Sequence, residues 1–134
     1  MQNVVPVETE LAKGIERFLP EMKGKLMATA LRVPVINVSA IETNVVVSIE
    51  TTLEEVNELL EEKANDDVFN MLAYTDQPLA SSDFIHEIHS GVIDASQTRV
   101  VGGKLIKLLT WFDNEWAYAN RMLDVAAHWL SKKN

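Results

Sequence analysis

The chain contains no cysteine. That excludes a disulfide framework, a thiolate metal site and a cysteine nucleophile. Basic charge is also sparse. Twelve lysines and arginines are scattered among twenty acidic residues, leaving a net charge of −8. A nucleic-acid surface needs a concentrated basic patch, so that class of partner is excluded. No apolar run approaches the roughly 18 residues of a membrane span, and the opening M-Q-N-V has no signal-peptide layout. The expectation is a cytoplasmic protein without membrane contact. No repeat or low-complexity segment stands out. What remains is an ordinary globular composition of 134 residues, 47% apolar and 24% charged, which fits one domain spanning residues 1–134 with a core of its own.

Periodicity orders the elements. Leu11, Ile15, Phe18 and Leu19 share one helical face behind Thr9, a natural N-cap, and Pro20 stops that helix. Leu26 to Val33 and Val38 to Glu50 read as strands. In the second, Val45, Val47 and Ile49 alternate with Val46, Ser48 and Glu50. Thr52-Leu53-Glu54-Glu55 is a capping box. The helix it opens carries Val56, Leu59 and Leu60 on one side, and Glu54, Glu55, Glu58, Glu61 and Glu62 on a solvated face. Phe69–Tyr74, Phe84–Ile88, Gly91–Ala95, Gln97–Val101 and Lys104–Phe112 are strand candidates. Asp113 then caps a helix reaching about Lys132. Strands outnumber helices and come in runs. The class is α+β, a mostly antiparallel sheet with helices on one face.

Several side chains could carry chemistry. His86 and His89 have a metal-ligand spacing only if helical; in a strand or loop they are surface or hydrogen-bonded histidines, so no metal site is assigned. Asp83 and Asp94 flank them, yet no serine or cysteine is placed for activation. His128 on the last helix reads as structural. Arg32, in L-R-V-P, ends an apolar strand, where a charge calls for an anionic partner. Either a carboxylate of the same chain or a phosphate group suits its planar fork of donors. Thr9 is equally two-sided, as a plain cap or as part of an anion-binding helix end. Asn114 is different. In W-F-D-N-E-W, Asp113 serves as cap, Glu115 suits the helix dipole, and Trp111 and Trp116 supply apolar area. Capping does not require Asn114. Its flat amide complements another amide, such as the carboxamide of a nicotinamide ring.

At these residues the sequence resembles a known family. W-F-D-N-E-W-A-Y-A-N-R-M-L-D is similar to the C-terminal signature of the phosphorylating glyceraldehyde-3-phosphate dehydrogenase superfamily. L-R-V-P-V-I-N-V-S resembles its strand with a substrate-binding arginine. The blocks run in family order along the whole chain. V-V-P-V-E-T-E-L-A-K-G-I, R-V-P-V-I-N-V-S-A-I, D-A-S-Q-T-R-V and N-R-M-L-D look closer to the branch that oxidises D-erythrose 4-phosphate than to the glycolytic branch.

The resemblance implies an NAD-dependent aldehyde dehydrogenase. Such an enzyme works through a cysteine thiohemiacetal, hydride transfer to nicotinamide and a thioester. Water resolves the thioester to 4-phosphoerythronate in the erythrose branch, on a route to pyridoxal 5′-phosphate; inorganic phosphate resolves it in the glycolytic branch. Carried over residue by residue, Arg32 and Thr9 match substrate-anion contacts. Glu10 takes the neighbouring substrate-contact place, where the family prefers lysine or glycine; an acidic side chain there leaves only its backbone N–H as a useful donor. Asn114 matches the carboxamide contact of NAD, and Tyr118 an aromatic that shapes the cofactor pocket. The S-C-T-T-N nucleophile block, the base histidine and the glycine-rich NAD-binding turn have no counterpart in this sequence. The expectation is the C-terminal part of a catalytic domain, inactive alone, with no catalytic residue of its own and NAD held mainly by the missing Rossmann domain. The family is tetrameric, with its last helix against the cofactor domain and its sheet in the subunit interface. A fragment of it should expose apolar area on both and oligomerise through the sheet. Two other readings stay open: a segment of the glycolytic enzyme, and an inert oligomerisation or phosphate-binding module.

Overall fold

A computed structural model describes residues 2–132. The chain divides into two compact units, Met1–Ile36 and Asn37–Asn134.

The first unit is a two-stranded antiparallel ribbon and a helix. Strand β1 (Val5–Val7) pairs with β2 (Ala30–Arg32), Val5 opposite Arg32 and Val7 opposite Ala30. Between them lies α1 (Leu11–Phe18). Its N-cap is Glu10 and not the expected Thr9: the Glu10 carbonyl accepts the first helical N–H, from Gly14 at 2.8 Å, while the Thr9 hydroxyl, one residue earlier, accepts the Leu11 N–H at 3.2 Å. A 3₁₀ turn at Pro20–Met22 follows, since proline cannot continue the helix. The expected strand from Leu26 is shortened to its last residues, Ala30 to Arg32.

The second unit holds a five-stranded sheet. Its central strand, β7 (Leu105–Phe112), is flanked on one side by β3 (Ser39–Val46) and on the other by β5 (Gly91–Asp94) and β6 (Arg99–Val101); β4 (Leu72–Thr75) pairs with β5. All pairings are antiparallel except β4 with β5. The α+β class with a mostly antiparallel sheet is therefore what the chain adopts. Helix α2 (Leu53–Asn65) packs along β4 and is opened by the expected capping box: the Thr52 hydroxyl accepts from Glu55 N–H, and the Glu55 carboxylate accepts from Thr52 N–H. Its glutamates at 54, 55, 58, 61 and 62 are all exposed. Helix α3 (Trp116–Ser131) closes the chain.

Four expected strands of this unit differ. Gln97 lies in the 3₁₀ turn Ala95–Gln97, so the strand expected over 97–101 begins only at Arg99. Phe84–Ile88 is no strand. Asp83 turns back to accept the Ala80 N–H at 2.8 Å, Ser81–Phe84 forms a 3₁₀ turn, and His86 takes a left-handed φ of 66°. Serine and aspartate favour such turns by competing for backbone N–H groups. Strand β4 begins only at Leu72, because the Asp67 carboxylate gathers the N–H groups of Phe69, Met71 and Leu72. Strand β3 ends at Val46; beyond it, Val47 N–H reaches Lys104 and Thr51 N–H reaches Gly103.

The core is small. Val38, Phe84 and Val92 form its buried cluster, with Ala73 and Trp111 packed against it. Phe84 and Trp111 stack with ring centroids 5.5 Å apart, and the Trp111 indole N–H donates to Asp94 at 2.9 Å. Along α3 only Ala117 is buried; Tyr118, Met122, Leu123, Trp129 and Leu130 are exposed. Among the described residues no helix is long and apolar enough to cross a membrane.

Candidate functional site

Site residues occur in both units. In the first, Arg32 ends β2 with its side chain exposed. A strand-end arginine was expected to need an anion, and a carboxylate of the same chain was one option. Among the described residues no carboxylate pairs with it. Its exposure removes the desolvation cost that would have demanded one. Thr9 is half-buried at the start of α1, its hydroxyl turned to the Leu11 N–H. Glu10 points elsewhere: its carboxylate pairs with Lys13 at 2.9 Å and its carbonyl accepts the Gly14 N–H at 2.8 Å. The Glu10 charge is thus matched within the helix. No hydrogen bond joins Thr9, Glu10 and Arg32 to one another among the described residues.

In the second unit the joint between β7 and α3 is built around Asp113, which has no solvent exposure. One carboxylate oxygen accepts from Glu115 N–H at 3.1 Å and Trp116 N–H at 2.9 Å, satisfying the free end of α3. The other accepts from Asn37 Nδ2 at 2.8 Å and His86 N–H at 2.9 Å. Burial pushes the Asp113 carboxyl up, but the four hydrogen bonds outweigh it and hold it below the ordinary carboxylate range. Two left-handed residues aim these donors: His86, and Val38 at φ 73°, which lies between Asn37 and Ser39. A β-branched residue in that region is strained and persists only where its surroundings fix it. Here the buried contacts of Val38 with the core cluster fix it.

Asn114 is the exposed corner of this joint. Its carbonyl oxygen accepts from the Ser39 hydroxyl at 3.2 Å. Strand register explains the meeting, since Ser39 pairs with Phe112, two residues before Asn114. With its oxygen engaged by Ser39, this exposed amide keeps an NH₂ that could donate to another amide's carbonyl. Tyr118 lies one helical turn further on and is 66% exposed. The His86 ring packs on Trp116, centroids 4.5 Å apart, while His89 sits between Glu87 and Asn70. The two histidines therefore serve separate contacts and do not converge on one point. Asp83 and Asp94 likewise hold structure, one the Ala80 turn and the other Ser96 and Trp111.

Sequence reasoning missed Asn37 and Ser39 as supports of this corner. Both lie in the quoted block R-V-P-V-I-N-V-S, and pairing the apolar strands at 39–46 and 105–112 end to end would have pointed to Ser39.

A family model described as "Glyceraldehyde 3-phosphate dehydrogenase, C-terminal domain" matches residues 1–114. The match takes in Thr9, Glu10, Arg32 and the Asp113–Asn114 corner and stops before α3. Covering most of the chain, and agreeing with the α+β sheet described above, it settles one thing: the chain belongs to the glyceraldehyde 3-phosphate dehydrogenase C-terminal-domain family.

Proposed function

We propose that this chain is the substrate- and cofactor-contacting segment of an NAD-dependent aldehyde dehydrogenase acting on D-erythrose 4-phosphate. The observation that carries the reading is the Asn114 amide. Its oxygen is taken by Ser39, its NH₂ meets no acceptor among the described residues, and the corner beneath it is pinned by four hydrogen bonds to Asp113. A pre-set amide of this kind can orient a nicotinamide carboxamide at little entropic cost. Those residues fit the cofactor's amide end; the dinucleotide itself would be held by a Rossmann domain outside this sequence. When bound, NAD supplies the hydride acceptor. Tyr118 offers an exposed aromatic face one turn from Asn114.

Arg32 is assigned to the substrate phosphate. Its guanidinium is exposed and has no carboxylate partner among the described residues. In a chain of net charge −8, such a cation is suited to an anionic substrate group. Thr9 supplies a hydroxyl and Glu10 only its N–H, since the Glu10 carboxylate is engaged by Lys13. The closer likeness to the erythrose branch of the blocks V-V-P-V-E-T-E-L-A-K-G-I, R-V-P-V-I-N-V-S-A-I, D-A-S-Q-T-R-V and N-R-M-L-D favours the four-carbon aldehyde. The nucleophile is supplied by a separate segment, and this segment alone is inactive. Assembly as a tetramer in the cytoplasm belongs to the same reading.

The test combines this chain, fused or mixed, with a segment carrying the Rossmann domain and the nucleophilic cysteine, and follows NADH formation with both aldehyde phosphates. The erythrose reading expects a higher kcat/KM for erythrose 4-phosphate and a rate independent of inorganic phosphate. Arg32→Ala should lower kcat/KM about a hundredfold, the worth of a charge-assisted bond of about 3 kcal/mol. Phosphate-dependent turnover favouring glyceraldehyde 3-phosphate would move the assignment to the glycolytic branch. Normal kinetics in Arg32→Ala would remove the anion role.

A further inference from the structure

The Asp113 joint fixes where α3 begins. A second contact is needed to fix where the helix points. Ala117 is buried, and Asn120 and Arg121 are half-buried; their i, i+3, i+4 spacing puts all three on one face. Ala117 lets the helix backbone come close. Asn120 turns back on its own helix, its amide donating to the Trp116 carbonyl at 2.9 Å. Arg121 reaches beyond the helix. Its side chain is 23% exposed, and its Nη2 pairs with Asp124 Oδ2, three residues on, at 2.8 Å. Its Nη1 donates to Ser90 Oγ across a long 3.5 Å, and Ser90 is the residue just before β5. Its Nε–H is buried and meets no acceptor among the described residues. A third group lies near. Burial pushes the Asp67 carboxyl up, the N–H groups of Leu72, Phe69 and Met71 outweigh it, and the Arg121 charge adds to their pull below the ordinary range. Asp67 leads into β4 and Ser90 into β5, and these strands run parallel side by side. One cation therefore sits where α3 meets the entrances of both.

We propose that Arg121 is a positioning residue for the cofactor contact: it latches α3 to the entrance of β5 and so sets the direction in which the helix carries Tyr118. Two fixed points define an axis, and here they are the Asp113 joint and Arg121, about two helical turns on. Tyr118 belongs to the stretch between them. A cap satisfies only the first N–H groups of a helix and leaves its far end to swing. Tyr118 lies about 7.5 Å along the axis from Asp113, so a swing of about 15° moves it by about 2 Å; about 1 Å is enough to weaken a positioned contact. Arginine suits the task. Its planar fork holds Asp124 and Ser90 together, whereas the ammonium of a lysine is a single point on a flexible stem. The N-R-M-L-D block supplies both Arg121 and Asp124, so half of the latch is preset within the helix. The role toward the cofactor rests on the dehydrogenase reading; the latch itself does not.

Amide hydrogen exchange of the chain, with no cofactor present, reads the latch. Arg121→Ala should speed exchange across residues 117–124 about tenfold, as expected when a charge-assisted contact is lost and the helix opens locally. Exchange in β3 and β7 should stay unchanged, and Arg121→Lys should fall between. Unchanged protection of α3 in Arg121→Ala overturns the latch, and so does an equal loss across β3 and β7, which would make Arg121 a support of the whole unit. The positioning role is read in the chain combined with the segment carrying the Rossmann domain and the cysteine. There Arg121→Ala should raise KM for NAD about threefold or more while kcat changes less than about twofold, and Arg121→Lys should recover part of the loss. Tyr118→Ala separates the two ideas. If it raises KM for NAD and Arg121→Ala does not, the positioning role is overturned while the cofactor reading stands. If Tyr118→Ala leaves KM unchanged, the cofactor contact falls and the positioning role with it, whatever the exchange shows of the latch.

Discussion

Replacing Asp113 by alanine removes four hydrogen bonds at once. Two are the N-terminal cap of α3, from the N–H groups of Glu115 and Trp116. Loss of a cap costs about 1 kcal/mol. The other two come from Asn37 Nδ2 and His86 N–H. Neither donor can readily turn to water, because Asn37 is half-buried and the His86 N–H sits on a left-handed residue over the core. Each stranded donor costs about 1–3 kcal/mol. The sum is about 3–7 kcal/mol, a large part of the usual 5–15 kcal/mol of stability. All three tryptophans, Trp111, Trp116 and Trp129, lie in the second unit, so urea unfolding followed by tryptophan fluorescence reads that unit alone. Asn37→Ala should cost less by itself, and in the double variant the two costs should fall short of their sum by about 1 kcal/mol or more, because they share a bond. An Asp113→Ala penalty under about 1 kcal/mol, or full additivity with Asn37→Ala, would show that the joint is not held by this carboxylate.

The same residue gives a pH dependence with a definite sign. Hydrogen bonding holds the folded-state carboxyl of Asp113 below its unfolded value. Its contribution is therefore fully present above the unfolded pKa of about 3.9 and is lost as pH falls through the lower folded value. The stability gap between the native chain and Asp113→Asn should be constant above about pH 5 and shrink below about pH 4. A gap that instead grew on acidification would mean a carboxyl that prefers its protonated form in the fold.

Three further perturbations test the scaffold. Gly91→Ala places a methyl 2.9 Å from Thr110 Cγ2, on a stiff β-branched side chain of the central strand, and should cost about 1–3 kcal/mol in urea unfolding, with Thr110→Ser restoring most of it. Thr52→Ala should cost about 1 kcal/mol through loss of the capping box, and Glu55→Ala in that background should add little. At Val38, alanine should be more destabilising than glycine: both lose the buried contacts, but only alanine keeps the left-handed strain, worth about 1 kcal/mol, and the reverse order would deny that the strain exists.

What could be read from the sequence was what its own neighbourhood decides. The Thr52–Glu55 box, the stop at Pro20 and the cap at Asp113 each depend on residues within about one helical turn. The strand at 84–88 failed because its apolar residues say nothing of where its N–H groups go; His86 N–H ends on Asp113, 27 residues away. The Asn114 corner was legible in half. Its amide chemistry stood out between two tryptophans, whereas its supports Asn37 and Ser39 reach it across 76 and 75 residues.

The acidic residues play two parts. The α2 glutamates form the solvated face that helical periodicity pointed to. Three aspartates instead organise the second unit, two of them, Asp94 and Asp113, from buried positions. Asp67 gathers the N–H groups that precede β4, Asp94 ties Trp111 to Ser96, and Asp113 joins α3 to the turns at Asn37 and His86. A chain that buries few apolar side chains has little packing with which to fix its loops. Carboxylates accepting several N–H groups each do so by geometry instead, since an oxygen with two lone pairs fixes the direction of the donors it accepts. This also accounts for where strain is tolerated. Val38 and His86 sit on either side of Asp113, and the bonds that their unusual backbone makes possible are the ones that hold the Asn114 corner in place.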